Sequence, residues 1–397
     1  MLSRASDKGE VVKLNLIYTI DEFNNCLNTK GQVDAILLDF SKAYDKVDHK
    51  GLILKLKSLG INNNLSQWIE SFLLNREQTV IVDGKRSSPI PVLSGVPQGT
   101  VLGPLFFLIY INDITNDLTK GTSLRLFADD SLLYRKINTI EDTKLLQKDL
   151  NTLQEWEKKW KMEFHPGKCQ LLRITNKSKH YIQADYFIHN TKIKLEESAK
   201  YLGISIDSKL KWKPQYNSLC KKANGVLAFL RRNFHSCPTQ IKNNCYKTLV
   251  RPILDYGGTV WDPHYMKDKE KIEKIQKRAA RFVTNNYRFE SGNTKINMQN
   301  LNWEPLEERR AKAKVTSLFK ARLGLVDIPL NNLNINNRSG GKGYQNYIIP
   351  SSNVDSHMHS YYPSTTRLWN MLPQDIRNSE NQNIFIGKLN YITLRQS

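Results

Sequence analysis

The sequence predicts an α+β fold, a small antiparallel sheet with helices packed on it, and three observations carry that prediction. Ala35-Ile36-Leu37-Leu38 is a short, wholly apolar run ending at Asp39, the pattern of a central strand buried on both faces. The runs 124–128 and 131–134 are strand-like and separated only by Asp129 and Asp130, the signature of a tight hairpin with acids at its tip. Segments 11–27 and 141–160 show the apolar spacing of amphipathic helices.

Taken in order, the first nine residues read as a frayed tail and 11–27 as a helix. After the 35–39 strand, Asp48 is a candidate N-cap for a helix carrying Leu52, Ile53, Leu54 and Leu56, with Gly60 as its stop. A further helix follows at 65–74. Segments 79–82 and 90–93 flank a turn at Asp83-Gly84 and predict a hairpin or ribbon. Ser94-Gly95-Val96-Pro97-Gln98-Gly99 is a Gly/Pro-punctuated loop opening a long apolar helix from Thr100 to Asp113. Short strands are expected at 170–174, 193–195 and 201–206, and a mostly helical pattern over 212–283. From about residue 290 the chain is rich in Asn and Ser and shows no clear period, and no internal repeat is evident.

The chain of 397 residues is 40% hydrophobic, enough for two or three domains with real cores. Its net charge of +21 suits a polyanionic partner. The excess is local: residues 1–150 hold 18 Lys+Arg and 18 Asp+Glu, whereas 151–397 hold 41 and 20. Cys26, Cys169, Cys220, Cys237 and Cys245 form no C-x-x-C pair and follow no signal peptide, which reads as reduced thiols inside a cell. The spacing of Cys220, His235, Cys237 and Cys245 fits no usual zinc pattern. The most apolar run, 101–111, is about half the length a membrane span needs and predicts a buried helix.

The acids carry the chemistry. Asp39 alone is an ordinary strand-end residue and Asp129-Asp130 an ordinary turn. With the 35–39 strand beside the 124–134 hairpin, their carboxylates meet on neighbouring strands, where like charges repel unless a cation lies between them. Two divalent ions about 3.5–4 Å apart satisfy such a cluster and suit phosphoryl transfer. Oxygen donors indicate magnesium or manganese.

LLDFSKAYDKVDH at 37–49, SGVPQGTVLGPLFFLIYINDI at 94–114 and LFADD at 126–130, in this order and spacing, closely resemble the palm of reverse transcriptases from non-LTR retrotransposons, especially the CR1/jockey-like lineages. YLGISID at 201–207, LVRPILDYGGTVW at 249–261 and RLWNMLP at 367–373 extend the resemblance over nearly the whole chain. It implies a right-hand polymerase palm with partial fingers over 1–207, a basic helical thumb over 208–289, and a C-terminal extension of unknown role over 290–397. The implied reaction is RNA-directed DNA synthesis, in which a primer 3′-hydroxyl attacks the α-phosphate of a dNTP.

The resemblance also assigns residues. Asp39 and Asp129 hold both metals, with Asp130 as neighbouring carboxylate and the Phe40 carbonyl as a further ligand. Tyr44 matches the aromatic gate that excludes a sugar 2′-hydroxyl; a half-buried core tyrosine is the alternative. Pro97, Gln98 and Gly99 match the loop supporting the templating base and incoming nucleotide, against a plain helix-entry turn. Lys168 stands where the family often has a lysine able to protonate pyrophosphate, or is a surface lysine. Tyr201, Leu202 and Gly203 resemble the primer-grip turn, with simple strand packing as competitor.

Between 209 and 251 lie ten basic residues and no acid, among them Lys209, Lys211, Lys213, Lys221, Lys222, Arg231 and Arg232. A thumb tracking a template–primer backbone needs such a run. Lys267 to Arg281 adds a second basic face, diluted by Asp268, Glu270 and Glu273. Full-length relatives place an endonuclease and most of the fingers ahead of the strand ending at Asp39, and this chain starts 38 residues before it, so those parts are expected to be encoded upstream. Neither a ribonuclease H carboxylate set nor a terminal zinc knuckle is evident. The family's partners are an RNA template with a DNA primer and dNTPs, without a membrane, and its setting is a ribonucleoprotein of nucleus and cytoplasm. The competing reading is a truncated retroelement relic that binds nucleic acid without catalysis.

Overall fold

The computed structural model describes residues 8–288, 292–330, 333–335 and 346–394. Of the expected N-terminal tail, residues 1–7 lie outside the described ones, and helix α1 (Lys8–Asn28) already begins at Lys8. The chain forms two compact units, one of residues 31–201, the other of 1–30 together with 202–397. These units divide the chain differently from the sequence boundaries, because α1 packs within the second unit. The Tyr18 hydroxyl donates to the Asp327 carbonyl at 2.7 Å, Lys320 pairs with Glu10, and the Asn353 amide donates to Asn28 at 2.6 Å.

The first unit is built on β1 (Gln32–Leu38), whose Ala35 and Ile36 are fully buried. It is followed by α2 (His49–Ser58) and α3 (Asn63–Leu73). Asp48 caps α2 as its sequence suggests, accepting from the Gly51 amide at 2.8 Å. Next come four short strands, β2 (Glu77–Gln78), β3 (Ile81–Val82), β4 (Lys85–Arg86) and β5 (Ile90–Pro91). β2 pairs with β5 and β3 with β4, giving the expected ribbon around Asp83-Gly84. Helix α4 (Leu102–Ile111) buries Phe106, Phe107, Tyr110 and Ile111 but exposes Leu105 by 47%, so the apolar run is a half-buried helix, not a fully buried one.

The hairpin is β6 (Thr122–Phe127) and β7 (Asp130–Lys136). Its tip is Ala128-Asp129, one residue earlier than the sequence suggests: Phe127 pairs with Asp130, and Ala128 takes a positive φ of 51°. Helix α5 (Ile140–Trp160) leads to β8 (Gln170–Thr175), the small pair β9 (Phe187–Ile188) and β10 (Thr191–Lys192), then β11 (Lys194–Glu196) and β12 (Ser198–Tyr201). The main sheet runs β11-β8-β1-β7-β6, antiparallel apart from the β11–β8 pair. Helical side chains Leu52, Leu56, Phe107, Tyr110, Leu146, Leu150 and Leu153 share one core with Ile36 and Leu38.

Inside β1 the fold holds a polar knot. Asp34 is fully buried and accepts from Arg173 Nε at 2.9 Å, Arg173 Nη2 at 3.0 Å and the Tyr186 hydroxyl at 2.9 Å. A buried carboxylate survives in a sheet only when its oxygens are satisfied in this way.

The second unit begins after β12. The expected 201–206 strand is interrupted: Leu202 and Gly203 both take positive φ, 46° and 79°, and the chain re-enters extended form as β13 (Ile204–Asp207). Two consecutive residues with positive φ make the tightest reversal available to extended chain, and glycine adopts it without strain. The helical 212–283 region resolves into α6 (Lys213–Asn233), α7 (Thr239–Cys245), a π-helical turn over Tyr246–Val250, α8 (Arg251–Asp255), α9 (Gly258–Trp261) and α10 (Met266–Thr284). The stretch without clear period is also helical, as α11 (Asn293–Asn300), α12 (Leu306–Arg322), α13 (Asp355–Met358), α14 (Tyr361–Met371), α15 (Gln374–Arg377) and α16 (Gln382–Leu389). Phe319 stacks on Phe385 at 4.1 Å, and Trp261 and Trp369 are fully buried. Among the described residues no helix is long and apolar enough to cross a membrane.

Candidate active site

In the first unit, β1 and β7 run antiparallel with Leu38 opposite Ser131, and the next step of that register sets Asp39 across from Asp130. The hairpin tip adds Asp129 beside them. Asp129 and Asp130 are exposed and Asp39 half-buried. Partial burial, then the charges of Asp129 and Asp39, push the Asp130 carboxyl up, while Lys200 pulls it down. Asp130 thus senses both Asp129 and Asp39.

The strand end is locked from below. Asp39's carbonyl accepts from the His165 amide at 2.7 Å, and the Ser41 amide donates to Glu163 at 2.7 Å. Phe40 stacks on Phe164 with centroids 4.4 Å apart. These two hydrogen bonds use the carbonyl of Asp39 and the amide of Ser41, leaving the Phe40 carbonyl outside the bridge to Phe164. The His165–Lys168 turn brings Lys168 Nζ to 3.4 Å from Asp39 Oδ1, an exposed ion pair.

Tyr44 lies face-on against Phe107 of α4, with centroids 4.6 Å apart. Partial burial and then the charge of Asp129 push its hydroxyl up, which places the ring within reach of the acids. The loop before α4 is tied to the segment after Asp39: the Val96 amide donates to the Tyr44 carbonyl at 2.9 Å and Gln98 Nε2 to Asp45 at 3.1 Å. Gly95 has φ +88°, and a Cβ there would lie 2.8 Å from the Asp45 carbonyl oxygen. Only glycine fits that approach. The Gly95 carbonyl accepts from Arg76 Nη2 at 2.9 Å and lies 2.9 Å from His49 Nε2. A cleft of about 750 Å³ opens here between Lys42, Asp45, Arg76 and the 94–98 loop. Pro97 is half-buried, whereas Gln98 and Gly99 are exposed.

Sequence reasoning gave no role to Arg76 and Lys200, nor to His49, the last residue of the 37–49 motif. Nothing in the local pattern of Arg76 or Lys200 marks them, since each matters only through a partner distant in the chain.

Carboxylate oxygens are hard donors of the kind that magnesium and manganese take, and a cation among Asp39, Asp129 and Asp130 would relieve the repulsion that raises Asp130. Among the described residues no group of three His, Cys, Asp or Glu side chains is gathered closely enough to hold an ion as it stands. The donors fit in kind, and binding requires them to close in.

The remaining candidates fall elsewhere. Tyr201 is buried at the end of the first unit, and Leu202 and Gly203 begin the second. The Tyr256 hydroxyl donates to the Leu202 carbonyl at 2.8 Å, so that turn is pinned from within its own unit. Lys209, Lys211, Lys213, Lys221, Lys222, Arg231 and Arg232 are all exposed. The Asp207 carboxylate accepts from the amides of Lys209, Lys211 and Trp212, a staple that holds the turn before α6.

Residues 7–206 match the reverse transcriptase (RNA-dependent DNA polymerase) family. Among curated proteins, the chain is 32% identical over 272 residues to the RNA-directed DNA polymerase from mobile element jockey of Drosophila funebris, covering 65% of this chain and 29% of that protein. It is 29% identical over 311 residues to the probable RNA-directed DNA polymerase from transposon BS of Drosophila melanogaster, covering 74% and 33%. The chain therefore spans about a third of the length of these relatives. Among solved structures, apo telomerase from Candida tropicalis shares 11% identity over 78% of this chain and 54% of that one, with a TM-score of 0.40, too low to bear on the fold. With half of its residues matched in one continuous stretch that contains all three carboxylates, the chain belongs to the reverse transcriptase (RNA-dependent DNA polymerase) family.

Proposed function

We propose that this chain is the palm-bearing part of an RNA-directed DNA polymerase of a non-LTR retrotransposon, joining a dNTP to a primer 3′-hydroxyl on an RNA template. The observation that carries the reading is the β1–β7 register that sets Asp39 across from Asp130, with Asp129 beside them at the hairpin tip and Tyr44 close enough to feel Asp129. Bound there, two magnesium or manganese ions would activate the primer hydroxyl and neutralise charge on the departing pyrophosphate. Asp39 and Asp129 would hold both, with Asp130 and the Phe40 carbonyl completing the set.

The protein's own groups do the rest. Tyr44, braced by Phe107, presents a rigid ring below the incoming sugar and crowds a 2′-hydroxyl. The 97–99 turn, held by Asp45 and the Arg76-anchored Gly95, supplies a surface for the templating base. Lys168 rests on Asp39 and would give a proton to the departing pyrophosphate. Tyr201, Leu202 and Gly203 would steady the primer end, and the 208–289 region would hold the duplex by its phosphates.

Primer extension on an RNA template with magnesium and dNTPs, wild type against Asp129→Ala, tests this. Incorporation by wild type that the substitution abolishes is expected. No incorporation by a wild-type protein that still binds the hybrid sinks the catalytic reading. The acids are not gathered into a ready ion site among the described residues, which favours one second reading, a nucleic-acid-binding relic without catalysis. That reading expects hybrid binding indifferent to Asp129→Ala.

A further inference from the structure

In the second unit a cavity of about 230 Å³ lies between α1, the turn from α8 into α9, and the first half of α12. One wall is residues 255–259, the middle of the LVRPILDYGGTVW motif, to which the polymerase reading gives no particular task. The motif's two glycines shape that wall. A Cβ on Gly258 would lie 2.8 Å from Arg310 Cδ, and one on Gly257 2.3 Å from Ile204 Cδ1. Glycine at both positions lets the chain pass close over the Arg310 stem.

Three side chains of the wall lack an acceptor or a counter-charge. Arg310 is 2% exposed, and its Nε donates to Asp262 Oδ1 at 2.7 Å. Asp262 gives its other oxygen to Lys314 at 2.9 Å, and Arg310 Nη1 is buried without a hydrogen-bond partner. The Trp261 ring, 5.6 Å from the guanidinium, offsets only part of that cost. The Thr259 hydroxyl, on a residue 5% exposed, is also buried and unpartnered. Lys13 is half-buried, and burial pushes its ammonium down to about 8. Glu10 pulls it back up, but Glu10 is itself paired with Lys320, whose charge pushes Lys13 down further. Asp255 also lines the cavity and is committed to Arg309, which donates to it at 2.6 Å. Val12, Leu16 and Ala313 add an apolar surface.

We propose that this cavity binds a carboxylate carried on a small apolar body, with Lys13, Arg310 and Thr259 taking its oxygens and Val12, Leu16 and Ala313 its carbon. A carboxylate offers several acceptor sites and one negative charge, which two converging cations and a hydroxyl can share. An engineered apolar cavity of about 150 Å³ admits benzene, so this one has room for such a ring with a carboxylate attached. It falls below the roughly 300 Å³ at which pockets for drug-sized ligands begin, too small for a whole nucleotide. Because Lys13 stands on α1 and Arg310 on α12, the bound carboxylate bridges those two helices. The inference does not rest on the polymerase reading.

The test is the melting of the full chain with sodium benzoate, with the neutral analogue benzyl alcohol, and with sodium chloride at equal ionic strength. Benzoate alone is expected to raise the melting temperature, saturably, and to slow amide hydrogen exchange in residues 9–16 of α1. Lys13→Met keeps the stem and removes the charge, and Thr259→Val keeps the shape and removes a hydroxyl that no internal group uses. Each is expected to weaken benzoate about tenfold, the size of one lost charge-assisted hydrogen bond. Lys388→Gln on α16, a charge change outside the cavity, is expected to leave benzoate affinity as in wild type. A wild type that benzoate does not stabilise, or that benzyl alcohol stabilises equally, overturns the proposal. So does benzoate affinity unmoved in both variants. Should neither variant fold, hydrogen exchange in wild type decides, and protection that misses α1 overturns the proposal. A blocked Ala-Glu-Ala peptide carries the same carboxylate on a chain too bulky to enter, and tighter binding of it than of benzoate overturns the site as one for free acids.

Discussion

Replacing Asp130 by asparagine removes one negative charge while keeping the side chain's shape at the start of β7. In the folded protein this carboxyl is pushed up by partial burial and then by Asp129 and Asp39, with Lys200 opposing. A carboxyl whose folded pKa lies above its unfolded one binds more protons folded than unfolded across the interval between them, so stability falls as pH rises through it. The interval starts near the ordinary value of about 3.9 and ends at the raised one. Above it, wild type carries the full penalty and Asp130→Asn carries none.

The magnitude follows from exposure. Each like-charge neighbour at an exposed strand end costs about 0.2–1 kcal/mol, and Lys200 returns part of it, leaving a net of about 0.5–1 kcal/mol. For a unit of this size that is about 1–4 °C in melting temperature. In EDTA at neutral pH the asparagine variant is therefore expected to melt above wild type, and the gap to close below about pH 4. A divalent cation at about ten times its Kd stabilises whatever binds it by about 1.4 kcal/mol, so magnesium at constant ionic strength should invert the order. Circular dichroism melts of both proteins, with and without magnesium, read all four values. A variant that melts below wild type in EDTA, or a magnesium shift equal in both, refutes the carboxylate cluster.

Three further substitutions probe the frame around the site. Asp34→Ala strands Arg173 in the sheet and is expected to cost about 3–5 kcal/mol by urea unfolding, whereas removing both partners costs less. Gly95→Ala must leave φ +88° or move the Asp45 backbone, an expected loss of about 2–4 kcal/mol in the same assay. Tyr44→Val should raise ribonucleotide incorporation relative to deoxyribonucleotide by on the order of tenfold or more in primer extension, with melting lowered by the lost Phe107 stack.

The elements legible in the sequence are those whose signal is local. The apolar run before Asp39, the Asp48 cap, the Asp83-Gly84 ribbon and the long helices each declare themselves within a dozen residues, and each stands in the structure. The hairpin tip was displaced by one residue because turn chemistry favours Asp, yet the register with β1 put Ala128 at the positive φ. Within the strand expected at 201–206 the reversal was marked only by the resemblance to a turn at 201–203, because Leu202, unlike Gly203, carries no local turn signal.

What stayed illegible is whatever depends on charge meeting charge across the chain. Helix α12 shows no apolar stripe because its core-facing side includes Arg310 and Lys314, both paired with Asp262, and Lys312, paired with Glu304. A period-based reading counts those positions as solvent and loses the helix's orientation. Lys242 is one of ten basic residues in an acid-free run, yet the fold covers it against Phe282 while Arg231 and Arg232 stay exposed, so which cation of a basic run is covered is decided by tertiary packing and not by local pattern.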